Sequence, residues 1–391
     1  MRPNGTCERV ATHPLAGVVL WCAAVPSPTP ISFARGAPSL DIIAADELRA
    51  SAERALSNDP LGVFSYGTSA GYGPLREWIA ERHGVSTEKV MATNGSMQAD
   101  ALLFQHLVER GDVVVVEAPT YDRTLLSLRE RGAELLSVPI QSDGIDVEAL
   151  ALALEGGARP KLVHIIPNFQ NPAGATLSLE KRKRLLELAE RHDFVLFEDD
   201  PYIDIRFEGE GLPTMLSMDE AGKVVYASSF TKTVCPGIRV GYLVGPEDTI
   251  GAIKTIATNT YISPSMVSQA IVADFCRSGA IEGSIATVKE ALHERRDATV
   301  AALERDIPDA AFVAPEGGYF LWVELPEGTN VAGIASAASE RGVTFQKGTD
   351  FLIEGGENAL RLAYSGVTPE QIADGIERLA EAYRAVAGAA A

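Results

Sequence analysis

From about residue 90 the chain alternates short, unbroken apolar runs with stretches whose apolar residues recur every three or four positions. The runs "DVVVVEAP" (112–119), "AELLSVPI" (133–140), "KLVHIIP" (161–167), "DFVLFEDD" (193–200), "KVVYASS" (223–229) and "RVGYLVG" (239–245) lack the polar alternation of a half-wet strand. They predict strands buried on both faces, as in a mostly parallel sheet. Between them, "RTLLSLRERG" and "LSLEKRKRLLELAERH" have helical spacing. In the second, Leu179, Leu185, Leu186 and Leu188 predict a buried stripe that leaves the basic cluster Lys181 to Arg184 mostly on the wet side. Strand–helix alternation of this kind predicts an α/β fold, with a large three-layer α/β/α domain built on a mostly parallel sheet.

After about residue 280 the rhythm changes. A long helix, "EGSIATVKEALHERRDATVAALERD", precedes "YFLWVELP" (319–326), "NALRLAYS" (358–365) and a terminal helix. The pattern divides the chain into an N-terminal arm (1–49) joining the small domain, a large ligand-binding domain (50–280) and a small α+β domain (281–391). The arm contains an apolar run, "LAGVVLWCAAV", behind Arg2 and Arg9. Glu8, Trp21 and the prolines at 26, 28 and 30 argue against a secretory leader, so it reads as an atypical arm.

Charge and cysteine usage narrow the partners. The 391 residues carry a formal charge of −19, which argues against nucleic acid, because neutralising phosphates needs a surplus of Lys and Arg. Cys7, Cys22, Cys235 and Cys276 are scattered without CxxC pairs, which points to a reducing, cytoplasmic setting. No run has the length of a membrane span.

Candidate chemistry lies where ligands of open α/β sheets bind, beyond the carboxyl ends of the strands. Gly95 and Ser96 open a helix whose free amides suit an anion, though an ordinary N-cap by Ser96 or Thr93 explains them equally well. Thr120 and Tyr121 follow one strand. "NFQNPAG" follows another, with Asn171 readable as a donor or as a simple turn residue. Glu198, Asp199 and Asp200 end a very apolar strand and need a cation or a route to solvent. Six histidines form no ligand-like cluster, so no metal is expected. "SSFTKTVCPGIRVGY" (228–242) sets Lys232 on a turn, with Arg239 beyond it. An anion cradle, a stacking aromatic, donors, a carboxylate and one amine together fit pyridoxal 5′-phosphate. Its aldehyde takes a lysine amine, its ring nitrogen a carboxylate, and its phosphate amides and an arginine.

In order, "FSYGTSAGYGPLRE", "NGSMQ", "EAPTYD", "PNFQNPAG", "FEDDPY", "SSFTKTVCPGIRVGY", "PEGGYFLWVELP" and "GGENALRLAYS" resemble the fold type I, class I/II aminotransferases over residues 30–385. The likeness is strongest to the 2-aminoadipate and aromatic branch, which is related to MocR regulators. It implies an aspartate aminotransferase-like fold and a homodimer. Lys232 is then the Schiff-base lysine and proton shuttle, Asp199 the partner of the ring nitrogen, and Asn171 and Tyr202 the holders of the ring hydroxyl. Tyr121 stacks on the ring. Ser96, the Met97 amide, Ser229, Thr231 and Arg239 hold the phosphate, with Tyr66 coming from the partner subunit. Arg361 grips the substrate carboxylate and Gly36 lines the pocket. Arg35 stands where that branch commonly has Gly, and reads equally as reaching toward the substrate side chain or as a surface residue.

The expected reaction is ping-pong transfer of an α-amino group to a 2-oxo acid, with glutamate/2-oxoglutarate as one pair and a specialised non-protein amino acid among the possible donors. The same fold and cofactor also serve lyases, decarboxylases, racemases and cyclases. A MocR-type sensor is a third reading, which the short N-terminal segment and acidic charge disfavour. Residues 1–30 do not match the helix by which the aminoadipate branch reads a distal acid, so the resemblance does not extend to that specificity.

Overall fold

The unbroken apolar runs become the inner strands of one sheet, although the run at 133–140 forms a strand that is mostly exposed or half-buried, with only Val138 buried, rather than one covered on both faces. The computed structural model describes residues 29–390. Among these residues the chain opens with β1 (Ile31–Ser32). The large sheet follows as β2 (Val90–Thr93), β3 (Val113–Ala118), β4 (Glu134–Gln141), β5 (Gly144–Ile145), β6 (Pro160–Ile165), β7 (Val195–Asp199), β8 (Val224–Ser229) and β9 (Gly241–Val244). The small unit contributes β10 (Ala311–Phe312), β11 (Phe320–Glu324), β12 (Val343–Thr344), β13 (Gln346–Lys347) and β14 (Ala359–Ala363).

The large sheet has the order β2-β9-β8-β7-β6-β3-β4-β5. Its central pairs β8/β7, β7/β6, β6/β3 and β3/β4 are parallel. β9 runs against both β8 and β2, and β5 against β4. The reversal at β9 has a simple cause. Residues 230–240 are too few for a crossover helix, so the chain turns back antiparallel and places its turn at the carboxyl end of β8.

Helices cover both faces. On one, Val114, Val116, Leu162 and Phe197 pack under the helices Ser96–Leu107 and Glu247–Tyr261. On the other, Val115, Val163, Leu196 and Val224 pack under Val147–Glu155 and Leu179–His192. The result is the three-layer arrangement that uninterrupted apolar strands require.

The basic cluster of the helix Leu179–His192 is not all on the wet side. Arg182 is 0 % exposed and shares the inner face with Leu185, Leu188 and Ala189. Its guanidinium donates to the carbonyls of Leu177 (3.0 Å), Pro213 (3.0 Å) and Pro167 (3.2 Å) and to Asn168 Oδ1 (2.9 Å). Enough acceptors converge on this spot to bury the charge, and Leu186 is left half-buried instead.

The small unit is an antiparallel sheet, β10-β11-β14-β13, under the helices Ala280–Asp306, Val331–Glu340 and Pro369–Ala390. The arm joins it: β1 pairs parallel with β12, and the Phe33 carbonyl accepts from Ala363 N (2.8 Å). Its core also takes in Ile166, Phe169, Tyr202 and Ile205, which follow β6 and β7. The two units therefore meet at the carboxyl ends of the central strands. The apolar run at 15–25 lies outside the described residues. Among the described residues, no helix is long and apolar enough to cross a membrane.

Candidate active site

The anion cradle forms where three segments approach closely. Gly95 takes φ +75° and leads into the helix Ser96–Leu107. Neither Ser96 nor Thr93 caps that helix with its side chain; Thr93 Oγ1 instead donates to the Gly95 carbonyl (2.9 Å). The first amides are thus left for another acceptor, with the positive end of the helix dipole behind them. Arg239 bends over the cradle, donating to the Asn94 carbonyl (3.2 Å) and to Thr231 Oγ1 (3.4 Å). Ser229 Oγ donates to Thr231 Oγ1 (2.8 Å) and accepts from the Thr231 amide (3.1 Å). A Cβ on Gly95 would come 2.3 Å from Arg239 Nη2, and one on Gly241 would come 2.6 Å from the Gly95 carbonyl carbon. Only glycine allows this approach at either position.

Lys232 occupies the turn after β8. Its Nζ donates to the Gly36 carbonyl of the arm and lies 4.8 Å from the Tyr319 ring centroid and 5.4 Å from that of Tyr202. The Tyr319 hydroxyl donates to the Lys232 carbonyl (2.8 Å) and fixes the turn. Burial lowers the ammonium to about 7, Arg361 and Arg239 push in the same direction, and Asp199 partly offsets them.

The three acids at the end of β7 divide by the two-residue period of a strand. Glu198 accepts from the amides of Met215 (2.8 Å) and Leu216 (2.9 Å), and burial holds it up near 7. Asp200 accepts from Asn168 Nδ2 (2.8 Å), beside Arg182, and is also raised by burial. Both are structural. Asp199 alone turns to the cavity. It is buried, and among the described residues its Oδ1 finds no hydrogen-bond partner.

Arg361 arrives from β14, between Trp322 and Gln346 of the neighbouring strands. It donates to Asn171 Oδ1 (2.9 Å) and the Ala34 carbonyl (2.6 Å). Its guanidinium lies 4.3 Å from the Phe320 ring centroid and 4.8 Å from that of Phe351. Burial lowers it to about 10, so the charge persists at neutral pH. Tyr121 lies beside the cradle, its hydroxyl 3.9 Å from Met97 Sδ.

These groups line one cavity of about 340 Å³, and every residue to which the resemblance gave a role borders it except Tyr66; Thr120, Glu198 and Asp200, named from the strand ends, do not. Tyr66 is 88 % exposed on the outer surface. Asp122, Arg123, Phe320 and Gln346 also line the cavity and were not singled out, while Tyr319 and Phe351 support it from behind. Phe320 and Tyr319 lay inside a quoted motif, but their apolar surroundings read as core.

A cradle, a depressed amine and a carboxylate facing one cavity define a site for a phosphorylated carbonyl cofactor on an α/β/α scaffold. Comparison with known proteins gives the same class. Residues 29–379 match the family "Aminotransferase class I and II". The aromatic-amino-acid aminotransferase 1 of Thermococcus litoralis is 34% identical, over 90% of this chain and 87% of its own. The 2-aminoadipate transaminase of Thermus thermophilus is also 34% identical, covering 90% of each chain. The crystal structure of α-aminoadipate aminotransferase from that organism, complexed with N-(5′-phosphopyridoxyl)-L-leucine, superposes with a TM-score of 0.88 at 33% identity, covering 92% and 93%. The chain belongs to the class I and II aminotransferases, whose cofactor is pyridoxal 5′-phosphate.

The residues present fit that cofactor. The uncapped helix start and Arg239 suit its phosphate, the Asp199 carboxylate facing the cavity suits a protonated ring nitrogen, and Lys232, the lysine lining the cavity among the described residues, suits its carbonyl.

Proposed function

We propose that the chain transfers the α-amino group of an L-amino acid to a 2-oxo acid by a ping-pong reaction at Lys232, with glutamate/2-oxoglutarate as one pair. The observation that carries this reading is the opening of Lys232 and Arg361 onto one cavity, the first with its charge weakened and the second with its charge kept. The bound cofactor supplies a carbonyl that condenses with amines and a ring that takes up the electron pair left when a Cα bond breaks.

The chain's own residues do the rest. Lys232 Nζ, lowered to about 7, holds its proton weakly enough at neutral pH to attack a carbonyl and later carry a proton to and from the substrate Cα. Asp199 holds a proton on the ring nitrogen by offering an anion in a dry site. Asn171 and Tyr202 orient the ring hydroxyl, Tyr121 stacks on the ring, and Ser96, the Met97 amide, Ser229, Thr231 and Arg239 bind the phosphate. Arg361 receives the substrate carboxylate, already aimed by Asn171 and by the flanking Phe320 and Phe351 rings. Gly36 and Arg35 border the end of the cavity left for the substrate side chain.

The working unit is a homodimer in this reading, with Tyr66 completing the partner's cradle. Leu61, Phe64 and Tyr66 expose 78%, 66% and 88% of their surface within six residues, a patch suited to docking. The donor is a common or a specialised amino acid. A panel tests the reading: holoenzyme mixed with single amino acids should convert its cofactor spectrum to that of the amine form with at least one of them, and a 2-oxo acid should restore it. Carbon dioxide or ammonia release without that conversion would favour a decarboxylase or lyase instead.

A further inference from the structure

Asp100 has no part in the chemistry above, yet it is only 6 % exposed. It lies one turn beyond Ser96 in the helix Ser96–Leu107, and among the described residues its Oδ1 has no hydrogen-bond partner. One turn further, Phe104 meets Phe197 edge-on at 5.9 Å and His164 at 6.5 Å. The helix therefore lays Asp100 and Phe104 toward the sheet face that carries His164, Phe197 and Asp199. His164 stands opposite Phe197 in the β6/β7 register, and Asp199 is two residues beyond, on the same side.

His164 is 0 % exposed, and among the described residues neither ring nitrogen makes a hydrogen bond. Its Nε2 lies 3.6 Å from Asp199 Oδ2. An imidazole and a carboxylate thus lie side by side behind the cofactor cavity, and the helix turns a second buried carboxyl group toward the same sheet face, all short of partners. Burial, then the charge of Asp199, pushes the Asp100 carboxyl well above the usual range, opposed by its own backbone N–H. Tyr121 and Tyr202, both pushed up by burial, are the titratable neighbours on the cavity side, while Glu117, held up to about 8 by burial, lies on the opposite sheet face and accepts from the Ile166 amide and Gln170 Nε2 (both 3.1 Å). Lys232 and Arg361 stand on the far, cavity side. Two carboxylates in such a space do not both ionise.

We propose that Asp100, His164 and Asp199 form one buried unit with a single negative charge: Asp199 is the ionised member, His164 anchors its Oδ2, and Asp100 remains a carboxylic acid. Asp100 and His164 are positioning residues. They confine the charge to the one carboxylate that faces the ring nitrogen and keep that carboxylate from turning away. The inference rests on the cofactor reading above, but part of its test reads Asp100 alone.

The full-length protein, with and without cofactor, is compared with Asp100→Asn by infrared difference spectroscopy at pH 7. The expected difference is loss of one protonated-carboxyl band with no loss of carboxylate bands. Asp100→Leu, a second variant of different shape, should lose the same band. In holoenzyme carrying ¹⁵N in the cofactor ring, His164→Leu should move the ring-nitrogen signal toward the unprotonated position and weaken cofactor binding roughly tenfold, since a buried carboxylate loses the polar ring beside it. His164→Gln, which keeps a side-chain N–H, should restore both. Loss of a carboxylate band in Asp100→Asn, or an unchanged nitrogen signal and affinity in His164→Leu, would overturn the proposal. Because the infrared arm needs no cofactor, its failure is separable from a failure of Lys232 to bind one.

Discussion

A lysine set between tyrosine rings and facing two arginines holds its proton weakly, and this has a consequence for stability. In the unfolded chain a lysine titrates near 10.4 (about the free value), whereas Lys232 in the fold is lowered to about 7. Between those values the unfolded chain binds a proton that the folded chain does not. The stability of the cofactor-free protein should therefore rise with pH across that window, and the destabilisation is complete below it. Lys232→Met removes the group. At pH 7 the cofactor-free variant should resist urea better than the parent, and the gap should close by about pH 10; a gap that ignores pH would contradict this. At this scale the sequence is informative where a residue's chemistry is rare at its position, as with acids ending an apolar run, whereas Lys232 on its turn reads as an ordinary surface lysine until the order of motifs is taken together. It was silent on which of Glu198, Asp199 and Asp200 faces the cavity until the motif order was used. It misled at Arg182, because helical spacing shows a stripe but not the carbonyls that make burying a guanidinium tolerable. His164 and Asp100 passed unnoticed because a single polar residue in an apolar run carries no signal of its neighbours.

At the scale of elements, the site depends on β9 pressing against the start of the helix Ser96–Leu107. Gly241→Ala would place a Cβ 2.7 Å from the Ser96 amide nitrogen, so strand and helix must separate. The expected loss is about 1–3 kcal/mol of stability, with weaker cofactor binding, read by thermal unfolding and by titrating the cofactor into the cofactor-free protein. Gly251→Ala is the control: it lies in the helix Glu247–Tyr261 with nothing within 4 Å of the added carbon, and should stabilise slightly. Equal losses in both variants would refute the close-approach argument. The strands themselves were legible as apolar runs, as were the long helices. The antiparallel sense of β9 was not, since a buried strand reads the same in either direction and only the shortness of 230–240 decides it. The two-residue β1 and β12 are held by pairing with each other across the chain and have no local pattern to read.

At the scale of the molecule, the two units share a core where Ile166, Phe169 and Tyr202 enter the small one, so the cavity lies at their seam, closed by the arm. The sequence showed two rhythms and hence two units, but not that the long helix Ala280–Asp306 spans both. Its Ile281 packs with the large unit and its Val288 and Leu292 with the small. Tyr66 is the residue through which the proposed assembly can be tested, since it is 88% exposed and does not line the cavity. If it serves the partner's cradle, Tyr66→Ala and Lys232→Ala should each be nearly inactive. Mixing the two under subunit exchange should recover activity, because one site of the hybrid then holds both native residues; no recovery would refute a shared site. All of this depends on one nitrogen. Borohydride reduction of the holoenzyme, followed by proteolysis and peptide mapping, should place a stable pyridoxyl label on Lys232 and on no other lysine. A label elsewhere, or none, would contradict the account.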